Sequence, residues 1–153
     1  MYKVLHFIKR KDGLTHEQFR HHFERSHAAM AIKYCGHLFL DYKRNYFKTV
    51  FAGGDSRDPN SGYGERPWIW DLASEWTLPN EEALQQIYEI MMQPDKDRLF
   101  REDEDRIIDR RATVTVPCTI LSMGTKLDPK GTVFDTVSGE PSWQGWESWT
   151  PAA

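Results

Sequence analysis

The junction at residues 2–30, where a two-residue period gives way to a helical one across a turn, constrains the fold most. Tyr2 to Arg10 (YKVLHFIKR) alternates as a strand does: Tyr2, Val4, His6 and Ile8 fall on one face, Lys3, Leu5, Phe7 and Lys9 on the other. Both faces carry apolar residues, so cover is expected on both sides. Lys11-Asp12-Gly13 reads as a turn. Thr15-x-x-Gln18 is a capping box, in which the hydroxyl takes an N–H at the helix start and Gln18 returns a bond. Phe19, Phe23, His27 and Met30 then recur at i+4 and i+3 steps and share a helix face, and Gly36 suits the position past its end.

The rest of the chain repeats the plan. Leu38 to Phe51 reads as a second strand, 52–67 as a long loop rich in Gly and Pro, and Trp68 to Trp76 as a third strand. Asn80 caps a helix whose apolar stripe is Leu84, Ile87, Tyr88 and Met91, with Glu81 and Glu82 at the positive end of its dipole. Residues 95–111, dense in charges of both signs, read as a short helix or solvated connector. Ala112 to Met123 reads as the fourth strand, with Pro117 marking an edge or bulge. The order β-α-β-β-α-β defines an α+β fold of ferredoxin-like plan, an antiparallel sheet with both helices on one face. The bare face is expected to be covered by a second copy of the chain.

Composition narrows the function. At 153 residues, 39% hydrophobic and 13% aromatic, the chain can build one core. Twenty basic against 23 acidic residues give a net charge of −3, with no electrostatic reason to bind nucleic acid or an anionic membrane. No apolar run approaches a membrane span and no signal peptide is evident. Cys35 and Cys118 are isolated, so free thiols in a cytoplasmic setting are expected. Residues 1–123 are expected to form the domain and 124–153 a C-terminal arm, pinned on the domain or the partner subunit by Trp143, Trp146 and Trp149.

Four segments carry more. Phe7-Ile8-Lys9-Arg10-Lys11-Asp12-Gly13-Leu14-Thr15 leads through Glu17-Gln18-Phe19 to Ser26-His27-Ala28; Tyr42-Lys43-Arg44-Asn45 and Asp71-Leu72-Ala73-Ser74-Glu75-Trp76 lie in strands; Asp103 to Asp109 precedes the last strand. Over residues 2–122 the chain resembles the EthD family of the dimeric α/β-barrel superfamily. The resemblance implies a homodimer whose two sheets form a barrel, with a ligand cavity between each sheet and its helices. Relatives of this kind include polyketide cyclases, dehydratases, muconolactone isomerases and cofactor-free oxygenases.

Among candidate residues, His27 shares the apolar helix face, where an imidazole can move a proton near neutral pH or serve as a core residue bonded to a carbonyl. His6 faces the cavity as a second acid or base, or packs at the interface. Tyr42 can polarise a ligand carbonyl or pack in the core. Asp71 and Glu75 share a strand face; if that face meets the helices, Asp71 orients His27, and otherwise it pairs with Arg10 or Arg44. Asp103 and Glu104 read as a structural or capping pair. Glu24-x-x-His27 has the spacing of half a di-iron site but no second half follows, so no metal is expected; no phosphate loop or nucleophile elbow is present, so no cofactor is expected. The combined expectation is a cofactor-independent lyase or isomerase acting by proton transfer (dehydration, cyclisation or isomerisation) on a hydrophobic aromatic or polyketide-like molecule. The alternatives are a non-catalytic binding or accessory protein and a cofactor-free oxygenase.

Overall fold

The computed structural model describes residues 1–120. Strand β1 (Tyr2–Ile8) leads through a turn at Gly13, whose φ of 90° favours glycine, into α1 (His16–His22). The capping box is formed: Thr15 Oγ1 accepts from the Gln18 N–H at 3.1 Å and Gln18 Oε1 from the Thr15 N–H at 2.9 Å. The helix continues through one π turn (Phe23–His27), closed by the Ala28 N–H on the Phe23 carbonyl, into α2 (Ala28–Cys35). That extra residue shifts the register. The stripe expected at Phe23, His27 and Met30 becomes Phe23, Ala28, Ala31 and Cys35, all buried.

Strand β2 (Asp41–Tyr46) is shorter than expected, because the chain leaves the sheet after Tyr46. It builds a separate ribbon of β3 (Val50–Ala52) and β4 (Gly64–Arg66) within the segment read as loop. Strand β5 (Leu72–Leu78) starts and ends later than expected. Helix α3 (Glu81–Met91) is capped by Asn80, whose Oδ1 accepts from the Ala83 N–H at 3.0 Å. The charged segment is a full helix, α4 (Pro94–Ile107), burying Phe100, Asp103 and Ile107. Strand β6 (Val114–Cys118) closes the sheet.

The main sheet runs β2-β5-β1-β6, every neighbour antiparallel: a ferredoxin-like α+β fold. Pro117 lies in the edge strand β6, where a missing N–H is tolerated. The helices pack on the face carrying Val4 and Ile8 of β1 and Leu72, Ser74, Trp76 and Leu78 of β5, all buried. Two apolar clusters form there, one around Val4, Trp76, Leu78 and Ile87, the other around Ile8, Phe23, Leu72 and Ile107. On the other face, Leu5 pairs with Val116 and Phe7 with Val114, and the two valines are 40% and 41% exposed. Among the described residues, no helix is long and apolar enough to cross a membrane. The expected arm at 124–153, with Trp143, Trp146 and Trp149, lies outside the described residues.

Candidate active site

A cavity of about 310 Å³ opens between the sheet and its helices, with walls drawn from both apolar clusters, including Ile8, Phe23, Trp76 and Ile87. Its size suits a small organic ligand. The sheet contributes His6, Tyr42, Ser74 and Trp76; the helices contribute His27, Phe100 and Glu104.

His27 is held from behind by Asp103. Its Nδ1 lies 3.1 Å from Asp103 Oδ2, while Oδ1 takes His22 Nε2 at 2.8 Å and the Ser26 hydroxyl at 2.5 Å. The π turn explains this convergence. Its i→i+5 bonding brings His22 and His27, five residues apart, over one another, where a regular helix would splay them. Burial alone would raise the Asp103 carboxyl, but the donors His27, Ser26 and His22 outweigh it and lower it to about 2. Asp103 is therefore ionised at neutral pH and can only accept, so His27 Nδ1 carries the hydrogen and Nε2 is left as the free base. The ring is wedged against Phe23 and Phe100, with centroids at 4.9 and 5.8 Å.

His6 enters the cavity from β1. Burial drops its pKa from 6.5 to about 4 against the opposing backbone of Ser74. This imidazole is neutral at pH 7. Burial raises the Tyr42 phenol, against the pull of Ser74 and Arg44, so it stays protonated and can donate. Its ring stacks on Phe39 at 5.3 Å. Burial also raises Glu104, which lies 3.7 Å from Arg110.

Asp71 does not orient His27. It lies just before β5 on the parity of Ala73 and Glu75, which is the open side of the sheet; the helices meet Leu72, Ser74 and Trp76 instead. Its carboxylate accepts from the Arg10 backbone N–H at 2.8 Å and Arg10 Nε at 3.0 Å, with His16 Nδ1 at 3.1 Å. This is the Arg10 pairing weighed above as the alternative; Arg44 is engaged by Glu24 in a two-pronged ion pair. Asp103, read from sequence as structural, takes the place assigned to Asp71. One signal was available: Phe100, Asp103 and Ile107 recur at helical spacing, which sets a carboxylate inside an apolar stripe. Ser74 and Trp76 went unassigned because serine and tryptophan in a strand carry no distinctive spacing. Among the described residues, no group of three or more His, Cys, Asp and Glu side chains is arranged to hold a metal ion.

An antiparallel ferredoxin-like sheet with a histidine-bearing cavity under its helices defines the class. The EthD domain matches residues 11–111, and the chain belongs to that family. An EthD family protein of Bacillus halodurans is similar in structure, with 16% identity over 79% of this chain and 99% of its own, and a TM-score of 0.50. A protein of Arabidopsis thaliana matches at 13% identity over 82% and 100%, with a TM-score of 0.52. A dimeric protein of ferredoxin-like fold from Bacteroides fragilis matches at 10% identity over 78% and 95%, with a TM-score of 0.48. No curated protein matches the chain significantly.

Proposed function

We propose that the protein is a homodimeric, cofactor-independent lyase or isomerase. It would move protons on a hydrophobic, aromatic or polyketide-like molecule, in a dehydration, cyclisation or isomerisation. One observation carries this reading: His27 lines an apolar cavity with its Nδ1 tied to an ionised, buried carboxylate. That arrangement fixes the tautomer, leaves Nε2 as the base, and stabilises the imidazolium formed when it takes a proton. Tyr42, a protonated phenol, donates to a substrate carbonyl and makes the neighbouring carbon more acidic. His6, neutral and facing the same space, returns or accepts the second proton. The apolar walls keep water from competing.

The experiment is hydrogen–deuterium exchange. Enolisable aryl and polyketide-like ketones are incubated with the protein in D₂O, and deuterium at the activated carbon is followed by NMR. Exchange above the buffer rate is expected for ketones that bind. His27→Gln should lower it about 10²-fold or more. Binding without exchange across the panel would leave a ligand-binding protein, and undiminished exchange in His27→Gln would reject the assigned base.

A further inference from the structure

Two buried side-chain polar atoms among the described residues lack a hydrogen-bond partner, His6 Nδ1 and Trp76 Nε1. Both side chains belong to the cavity wall, and their rings pack 4.2 Å apart between centroids. The sheet register brings them together. His6 lies opposite Ser74 across β1 and β5, and Tyr42 opposite Trp76 across β2 and β5. Four polar side chains from three adjacent strands therefore share the cavity floor.

An indole N–H can only donate. The Ser74 hydroxyl and the Trp76 indole N–H both lie near enough to the Tyr42 hydroxyl to favour its ionised form against the effect of burial. Yet the indole closes no hydrogen bond. Buried donors in native folds are seldom left unpaired, and an unpaired donor in a cavity wall is where a guest oxygen can bind. The surrounding rings of Phe23, Phe39, Trp76 and Phe100 favour a flat guest.

We infer that the Trp76 indole N–H and the Tyr42 hydroxyl, which Ser74 holds in place, form a subsite for one acceptor oxygen, so that the cavity selects planar aromatic compounds bearing a carbonyl, enolate or phenolic oxygen. The inference rests on the reading of the cavity as a small-molecule site, and it adds Trp76 as a specificity-determining residue and Ser74 as a positioning residue. With the oxygen on the floor, the carbon beside it faces the helix wall that carries His27.

The test compares 2-acetylnaphthalene with its hydrocarbon counterpart 2-isopropylnaphthalene, by calorimetric or fluorescence titration of the full chain. The ketone is expected to bind about tenfold or more tightly, as a satisfied buried donor requires. Trp76→Phe should erase that preference, so that the ketone and the hydrocarbon bind the variant with equal affinity, whatever both gain or lose from the smaller ring. The ketone alone should move the Trp76 indole N–H resonance downfield. Equal affinities for the two compounds, or a preference that survives Trp76→Phe, would overturn the subsite. Should the variant not fold, the wild-type comparison and the indole resonance decide alone. Binding of neither compound would overturn the subsite together with the cavity reading beneath it. A ketone preference without proton exchange would leave the subsite standing and remove only the catalytic reading.

Discussion

At the scale of single residues, Asp103 and His6 make opposite demands on protons, and both tie stability to pH. His6 is held neutral by burial, with its pKa lowered from 6.5 to about 4. Between those values the unfolded chain takes up a proton that the folded one refuses. Stability therefore falls as pH drops from about 6.5 towards 4, by up to about 3 kcal/mol. Urea midpoints at pH 7 and 4.5 measure this, and His6→Gln should show a shallower decline. Asp103 acts lower, because its carboxyl falls from 3.8 to about 2. Its contribution of about 2 kcal/mol is complete above 3.8 and is lost as pH falls through the folded value. At pH 7, Asp103→Asn puts an N–H₂ against one of three donors and should cost about 1–3 kcal/mol in urea denaturation. A variant as stable as the parent would mean that the three contacts are not formed together. His27 was legible as facing the sheet because helical spacing sets it beside Phe23, whereas alternation left His6 open between cavity and interface and Tyr42 open between cavity and core. Asp103 was not, because charge density in its segment masked the apolar stripe around it.

At the scale of elements, local chemistry read well where a motif carries its own geometry. The capping box at Thr15 and the cap at Asn80 both form as their residues dictate. Thr15→Ala removes the acceptor for the Gln18 N–H and should lower stability by about 1 kcal/mol, seen as a shifted denaturation midpoint with proton exchange unchanged. An unshifted midpoint would show that water replaces the cap at no cost. The π turn was not legible, because a 3.6-residue period has no place for an inserted residue. That insertion moves the buried stripe onto Ala28, Ala31 and Cys35 and lets His22, Ser26 and His27 meet one carboxylate. The β3–β4 ribbon was hidden for another reason: its strands are three residues each, too short for alternation to register.

At the scale of the whole molecule, the order of elements was enough to give the sheet, since β-α-β-β-α-β with helices on one side has few ways to close. It also leaves an obligation. The open face carries Leu5, Phe7, Val114 and Val116, with Phe7 packed on Trp70 at 5.4 Å and Trp70 on the exposed Trp68 at 5.1 Å. Apolar residues from two paired strands, adjoined by aromatics, make a contiguous patch that water does not favour. A second copy of the same face satisfies it symmetrically, because a two-fold interface needs only self-complementarity. Light scattering across the micromolar range should therefore give twice the 18.0 kDa chain mass. Val116→Asp sets a carboxylate opposite Leu5 in the middle of that patch, where pairing the faces would strip its water without supplying a partner. In the monomer the same side chain stays solvated, since Val116 is 40% exposed, so the fold should hold. The expected result is a shift to the monomer mass with an unchanged far-ultraviolet circular dichroism spectrum. A parent protein at monomer mass would refute the dimer, and a variant that stays dimeric would move the interface off this face.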